Sequence, residues 1–342
     1  MSGRDPGWLM LAAGAALPTV AALAFLYYVF RPEGPELSLP VACEPGRTCF
    51  IQSFVDVDTG TGAQDFACGS ATYDGHKGTD FRVLSVAAAH RGVDVLASAV
   101  GIVKAVRDGM DDALASEATR REIAGRECGN GVVLDHGGGW ETQYCHMLRG
   151  SIAVKAGERV ARGERLGHVG YSGLAEFAHL HLEVRRDGQP IDPFSGRAQS
   201  EPCSPEKREW SGLWDRAALE AFRYRNGEIL DAGFSADPAV LDRLELDDAV
   251  PPPDRGSSAL VVYIRAANLR AGDRLRLSAK GPNGFAIDET SKPFDRSKAT
   301  FHMFAGRKRT SPEWPAGRYH GEVSILRNNW IQASRSVTLE LR

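Results

Sequence analysis

The chain has 342 residues, 43% of them hydrophobic, and sets 41 Lys and Arg against 44 Asp and Glu for a net charge of -3. That length and apolar content suffice for two ordinary cores and exclude a disordered polymer. The near-neutral balance supplies no bulk positive field and no basic stripe stands out, which argues against a nucleic-acid partner.

The N-terminal run WLMLAAGAALPTVAALAFLYYVF, residues 8–30, carries no charged residue over 23 positions. At about 1.5 Å per residue it is long enough for a hydrocarbon core of roughly 30 Å, even with Pro18 inside it. Trp8 at one end and Tyr27 and Tyr28 at the other suit interfacial anchoring. An uncleaved membrane anchor is expected over a cleaved signal peptide, whose apolar core runs about 7–15 residues; either one exports everything after Arg31. The Pro-rich stretch that follows, RPEGPELSLP, reads as a linker.

All six cysteines lie beyond this segment, and an even count in an exported chain favours disulfides. Cys43 with Cys49 closes a short loop. Cys128 with Cys145 flanks a hairpin whose turn is the HGGG at 136–139. Cys68 with Cys203 follows by exclusion. No CxxC pair offers a thiolate zinc site.

From about residue 41 to 200 short apolar stretches alternate with glycine, as in GVDVLASAVGIVKAV, GNGVVLDHGGGWETQYCHM and HLHLEVRRDGQPIDPF. Closely spaced strands with glycine turns predict an all-β sandwich or barrel. One insertion, DDALASEATRREIAGRE at 111–127, has helical composition and separates two of these strands. Residues 205–257 read as a connecting segment, with a helix-compatible start in SGLWDRAALEAFRYRNGEIL and a boundary at DDAVPPPDRGSS. Alternation returns from 258 to 342; in GRYHGEVSILRNN, Tyr319, Gly321, Val323 and Ile325 share one face. That half-buried pattern predicts a second, immunoglobulin-like sandwich. The expected organisation is therefore an anchor or signal over 1–34, a β domain over 35–204, a connection over 205–257 and a sandwich over 258–342.

Within AHLHLEV, residues 178–184, period two puts His179, His181 and Glu183 on one face of a strand and Leu180, Leu182 and Val184 on the other. YDGHKGTDF at 73–81 adds His76 and Asp80 around Gly78, and TQYCHM adds His146. Imidazole nitrogen and carboxylate oxygen are ordinary zinc ligands, and three protein ligands with an open position mark a catalytic rather than a structural site. Taken singly, each of these residues reads as packing or surface. His90, His136, His168, His302 and His320 have no such company and read as surface or packing residues.

HKGTD, then GNGVVLDHGGGWETQYCHM, then AHLHLEVRRDGQPIDP, in that order, resemble the lysostaphin-type (LytM-like) zinc metallopeptidases, which cut peptide cross-links in bacterial peptidoglycan. The resemblance covers about residues 65–195. It implies a β domain of the duplicated hybrid motif type, one Zn2+ per chain held by His76, Asp80 and His181, and catalytic assistance from His146 and His179. Glu183 matches an acidic position expected to orient a histidine. Leu182 stands where the family has phenylalanine, a tolerable core exchange, whereas Glu176 and Phe177 alter the groove rim. The implied setting is the periplasmic or cell-envelope side, anchored to the inner membrane or secreted, with peptidoglycan as substrate and wall-remodelling proteins as candidate partners. Two alternatives stand beside it: a catalytically silent module that binds the wall and activates another hydrolase, and a zinc peptidase for a secreted peptide or protein.

Overall fold

The computed structural model of the chain describes residues 34–203, 212–238, 243–247 and 250–342. The apolar stretch 8–30, expected to anchor or export the chain, lies outside them. Among the described residues no helix is long and apolar enough to cross a membrane.

The fold is mostly β. Its first part comprises β1 (Cys49–Ser53), β2 (Thr79–Val83), α1 (Val86–His90), β3 (Asp94–Leu96), β4 (Gly101–Arg107), α2 (Glu117–Arg120), β5 (Asn130–Gly137), β6 (Trp140–Met147), β7 (Arg159–Val160), β8 (Arg165–His168), β9 (His179–Arg186), β10 (Gln189–Asp192) and β11 (Arg197–Ala198). The main sheet runs β1, β2, β9, β6, β5, β4, β7, with β10 and β11 continuing beyond β9 and with β3 and β8 forming a separate pair. β9 is central and antiparallel to both β2 and β6. Leu180, Leu182 and Val184 are buried to within 1% exposure against Phe81, Tyr144 and Leu134. Each such side chain contributes about 1.5–3 kcal/mol, and a one-residue slip of β9 would drive its histidines into that core.

The turn between β5 and β6 falls at Gly137, Gly138 and Gly139, all at positive φ, where a side chain is disfavoured. Three disulfides, Cys43–Cys49, Cys68–Cys203 and Cys128–Cys145, leave no free cysteine.

Two expectations are corrected. Residues 111–127 do separate two strands, β4 and β5, but only Glu117–Arg120 winds into a helix, a single turn capped by Ser116 and Thr119. The described side chains of this stretch are largely exposed and bury no apolar stripe that would sustain a longer helix. The 205–257 stretch is not merely a connection. Asp215 caps α3 (Arg216–Ala221), and Ala218 and Phe222 join the first core. β12 (Glu228–Ser235) then buries Ile229 and Phe234 in the second core.

β12 pairs with β13 (Ala259–Leu269), and β14 (Arg274–Lys280), β15 (Ala286–Thr290), β16 (Lys298–Lys308), β17 (Gly317–Arg327) and β18 (Trp330–Leu341) follow. One sheet runs β12, β13, β16 and the other β15, β14, β17, β18. Leu260, Val262 and Ile264 from the first meet Leu275, Leu277, Tyr319, Val323 and Ile325 from the second in one core. The face read from GRYHGEVSILRNN is thus the buried one.

Asp192, at the end of β10, is fully buried, and its carboxylate accepts the Ser195 amide at 2.8 Å and the Ser195 hydroxyl at 2.5 Å. Burial pushes this carboxyl up to about 6, against about 3.9 in an unfolded chain. The folded state therefore holds a proton that the unfolded state releases, so this contribution is complete below about pH 4 and is lost as pH rises through about 6. We expect wild-type stability relative to Asp192→Asn, measured by urea unfolding, to fall by an amount on the order of 3 kcal/mol across that window. A difference that stays flat with pH would contradict this account.

Candidate metal centre

Register brings the site together. Pairing of β2 with β9 sets Asp80 opposite His181 and Arg82 opposite His179. On the other side of β9, β6 sets Cys145 opposite His181, which brings His146 to the same end of the sheet. His76 arrives from the loop that leads into β2. Its Nε2 lies 3.1 Å from Asp80 Oδ1 and 3.1 Å from His181 Nδ1, and His181 Nδ1 is 2.9 Å from the same Oδ1. His76, Asp80 and His181 are the described group whose donor atoms could hold a metal ion, all lying within 4.8 Å of one another.

Backbone carbonyls orient the rings. His76 Nδ1 donates to Phe54 O at 2.7 Å, which leaves Nε2 facing the cluster. His146 Nδ1 donates to Ser172 O and His179 Nδ1 to Phe177 O, each at 2.8 Å. Both of these rings therefore keep a bare Nε2 as proton acceptor. Their centroids are 4.6 Å apart, and His179 Nε2 lies 3.6 Å from Asp80 Oδ1. His146 adopts φ 61, an uncommon conformation for a residue with a side chain. It is held there by its amide on Cys128 O at 2.8 Å, by the Gly170 amide on its carbonyl at 3.0 Å, and by the Cys128–Cys145 disulfide beside it.

The protonation pattern follows. Burial opposes ionisation of Asp80, but the surrounding imidazoles of His76, His179 and His181 outweigh it and hold the carboxyl well below its ordinary range. Burial also opposes a charge on His76, and the adjoining Asp80 carboxylate overcomes it, so this imidazole moves up. His146 is driven well below its ordinary value by burial and by the neighbouring His179 and His181 rings. Burial lowers His179 as well, with Asp80 working in the opposite sense. The result is an ionised carboxylate beside two neutral imidazoles with free lone pairs.

The donor set fits zinc. Two imidazole nitrogens and one carboxylate oxygen converge at spacings close to the roughly 3.3 Å edge of a tetrahedron with bonds of about 2.0–2.1 Å. The His76 hydrogen bond to a carbonyl is the usual outer support of a metal-bound histidine.

Other expected residues lie elsewhere in the arrangement. Glu183 faces Arg185 at 3.6 Å, not a histidine. Two residues along β9 is about 6.6 Å, which carries it past the rings to the ion pairs among Arg185, Glu141 and Lys104. His136 is tied to Val100 O and Thr142 Oγ1, and His90 to the Tyr171 hydroxyl. The 111–127 stretch lines the loop before β9: Ala115 N donates to Ala175 O, Leu174 N to Glu127 O, and Arg120 pairs with Glu176.

Sequence reasoning missed Tyr73, whose half-exposed ring stacks on His76 at a centroid distance of 4.4 Å. Burial, then Asp80 and Glu176, push its phenol up, so it stays protonated at the mouth of the site. The three orienting carbonyls were also missed, because a backbone acceptor leaves no mark in sequence.

Gly78 explains itself by contact. A Cβ there would lie 2.6 Å from His181 Nε2 and 2.6 Å from Leu182 O. Gly78→Ala is expected to turn the His181 ring and weaken Zn2+ binding at least about tenfold by competitive titration; unchanged affinity would remove Gly78 from the centre.

Residues 74–193 match the family model described as Peptidase family M23. The chain is 32% identical over 104 residues to a peptidoglycan DD-endopeptidase of Vibrio cholerae, ShyA, which covers 30% of this chain and 24% of that protein. It is 35% identical over 108 residues to the DD-carboxypeptidase/endopeptidase Mpg of Neisseria meningitidis, covering 31% and 22%. The matched stretch thus spans about a quarter or less of the length of these relatives. Among solved structures, the catalytic domain of the antimicrobial peptidase lysostaphin from Staphylococcus simulans aligns at 21% identity and a TM-score of 0.26, covering 40% of this chain and 86% of that one. Residues 74–193 form a peptidase family M23 (LytM-type) domain.

Proposed function

We propose that the protein is an exported zinc-dependent endopeptidase that hydrolyses peptide cross-links of bacterial peptidoglycan. The observation that carries this reading is the convergence of His76, Asp80 and His181 within 4.8 Å, with His146 and His179 alongside. Peptidoglycan is suggested by the Vibrio cholerae relative, a peptidoglycan DD-endopeptidase. Export is suggested by the 8–30 stretch and by six cysteines all joined in disulfides, which persist in oxidising compartments. The same stretch suggests tethering to the membrane.

His76 through Nε2, Asp80 through Oδ1 and His181 through Nδ1 would hold the zinc. When bound, zinc supplies a Lewis acid that polarises the scissile carbonyl and brings the pKa of water toward about 7. The protein's own groups manage the protons. His146 Nε2 accepts a hydrogen from the attacking water and so fixes its direction. His179, whose basicity Asp80 partly restores, takes the proton at Nε2 and delivers it to the leaving amine nitrogen, so that cleavage ends in one carboxylate and one amine. The silent-module alternative has no observation in its favour, since all five side chains face one site.

Zinc content and release of muropeptides from purified sacculi test this together. His181→Ala is expected to lose both. His146→Ala and His179→Ala are expected to keep about one zinc per chain and lose about 10²–10⁴-fold in rate. A wild-type chain that binds zinc and digests a panel of secreted proteins but not sacculi would overturn the substrate assignment.

A further inference from the structure

Arg82 follows Asp80 by two residues on β2, so it shares the face of the sheet that carries the metal site, and its partner across the strand pair is His179. A guanidinium is never neutral at ordinary pH, yet Arg82 is completely buried. The groups that compensate its charge come largely from beyond the family M23 domain. Both carboxylate oxygens of Glu245 accept from NH2, at 2.8 and 2.6 Å, and Thr300 of β16 accepts from NH1 at 3.2 Å. Gln52 of β1 accepts at 2.7 Å and passes its own amide to Ala299 O at 2.7 Å. Arg265 of β13 holds Glu245 in turn at 3.2 Å, while donating to Leu244 O at 2.7 Å and Leu84 O at 2.5 Å.

The other side of the guanidinium faces the catalytic machinery. Its central carbon lies 4.6 Å from the centroid of Phe177, and the Phe177 ring lies 4.5 Å from that of His179. The Phe177 carbonyl also fixes His179 Nδ1 at 2.8 Å. An unbroken series of contacts thus runs from the C-terminal sandwich through Glu245, Arg82 and Phe177 to His179.

We propose that the Arg82–Glu245 pair is a positioning device through which the C-terminal sandwich holds Phe177 and His179 in working geometry, which makes the sandwich part of the catalytic unit. This rests on the reading of His179 as proton carrier. With Glu245 neutral, Arg82 keeps only uncharged partners, must turn toward water, and withdraws the surface on which Phe177 rests. The Phe177 carbonyl then ceases to hold His179 in the Nδ1–H form.

The test is a double-mutant cycle on the zinc-loaded full-length chain with Glu245→Gln and Phe177→Leu. It reads kcat and KM on a soluble cross-linked muropeptide, zinc content, and the tautomer of the His179 ring by 15N NMR. Each single variant is expected to lower kcat at least about tenfold, with KM and zinc content little changed and the Nδ1–H tautomer depleted. The double variant is expected to fall no further than the worse single, because both break one series of contacts. Glu245→Asp, which keeps the charge, is expected to recover most of the tautomer and the rate, and it carries the test together with Phe177→Leu if Glu245→Gln does not fold. Multiplying effects, or a Glu245→Gln chain with unaltered kcat and tautomer, would overturn the proposal. Failure of the hydrolase reading looks different: the wild type itself would release no product, while the His179 tautomer would still respond to Glu245→Gln.

Discussion

The alternation of β9 between its neighbours is the constraint on which the rest depends. Leu180, Leu182 and Val184 are locked into the core between β2 and β6, so His179 and His181 have only the opposite face available. Pairing with β2 then delivers Asp80 to His181, and pairing with β6 delivers His146. The chemistry is set by packing energy far from the reacting atoms. A core exchange that loosens this register would damage the centre without touching a ligand.

The cluster is costly to assemble. An ionised carboxylate and four imidazoles sit in a largely water-excluded space, which is unfavourable unless each polar atom has a partner. The carbonyls of Phe54, Ser172 and Phe177 supply partners to three rings, and Asp80 Oδ1 draws His76 and His181 together. The strained backbone of His146 belongs to the same logic: a disulfide and two backbone hydrogen bonds hold a conformation the residue would not adopt alone.

Much of this is legible in the sequence where the signal is local. Period two in HLHLEV assigns two histidines to one face, and the HKGTD spacing offers a second pair of donors within five residues. The buried face of GRYHGEVSILRNN is readable for the same reason. What escapes is non-local or carried by backbone. Glu183 looked like a partner for a histidine because i and i+2 share a face, but distance along the strand gives it to Arg185. Arg82 draws no notice in the sequence, because its partner Glu245 lies 163 positions away. The 205–257 stretch looked like a connection because its boundary residues dominate, whereas EILDAGFS, buried at Ile229, Leu230 and Phe234, builds β12.

Zinc-edge X-ray absorption on the metal-loaded full-length chain tests the central claim most directly. The account predicts a nitrogen and oxygen shell at about 2.0–2.2 Å with scattering from two imidazoles and no sulfur. A sulfur shell near about 2.3 Å, or scattering from three or four imidazoles without a carboxylate, would contradict a centre built from His76, Asp80 and His181.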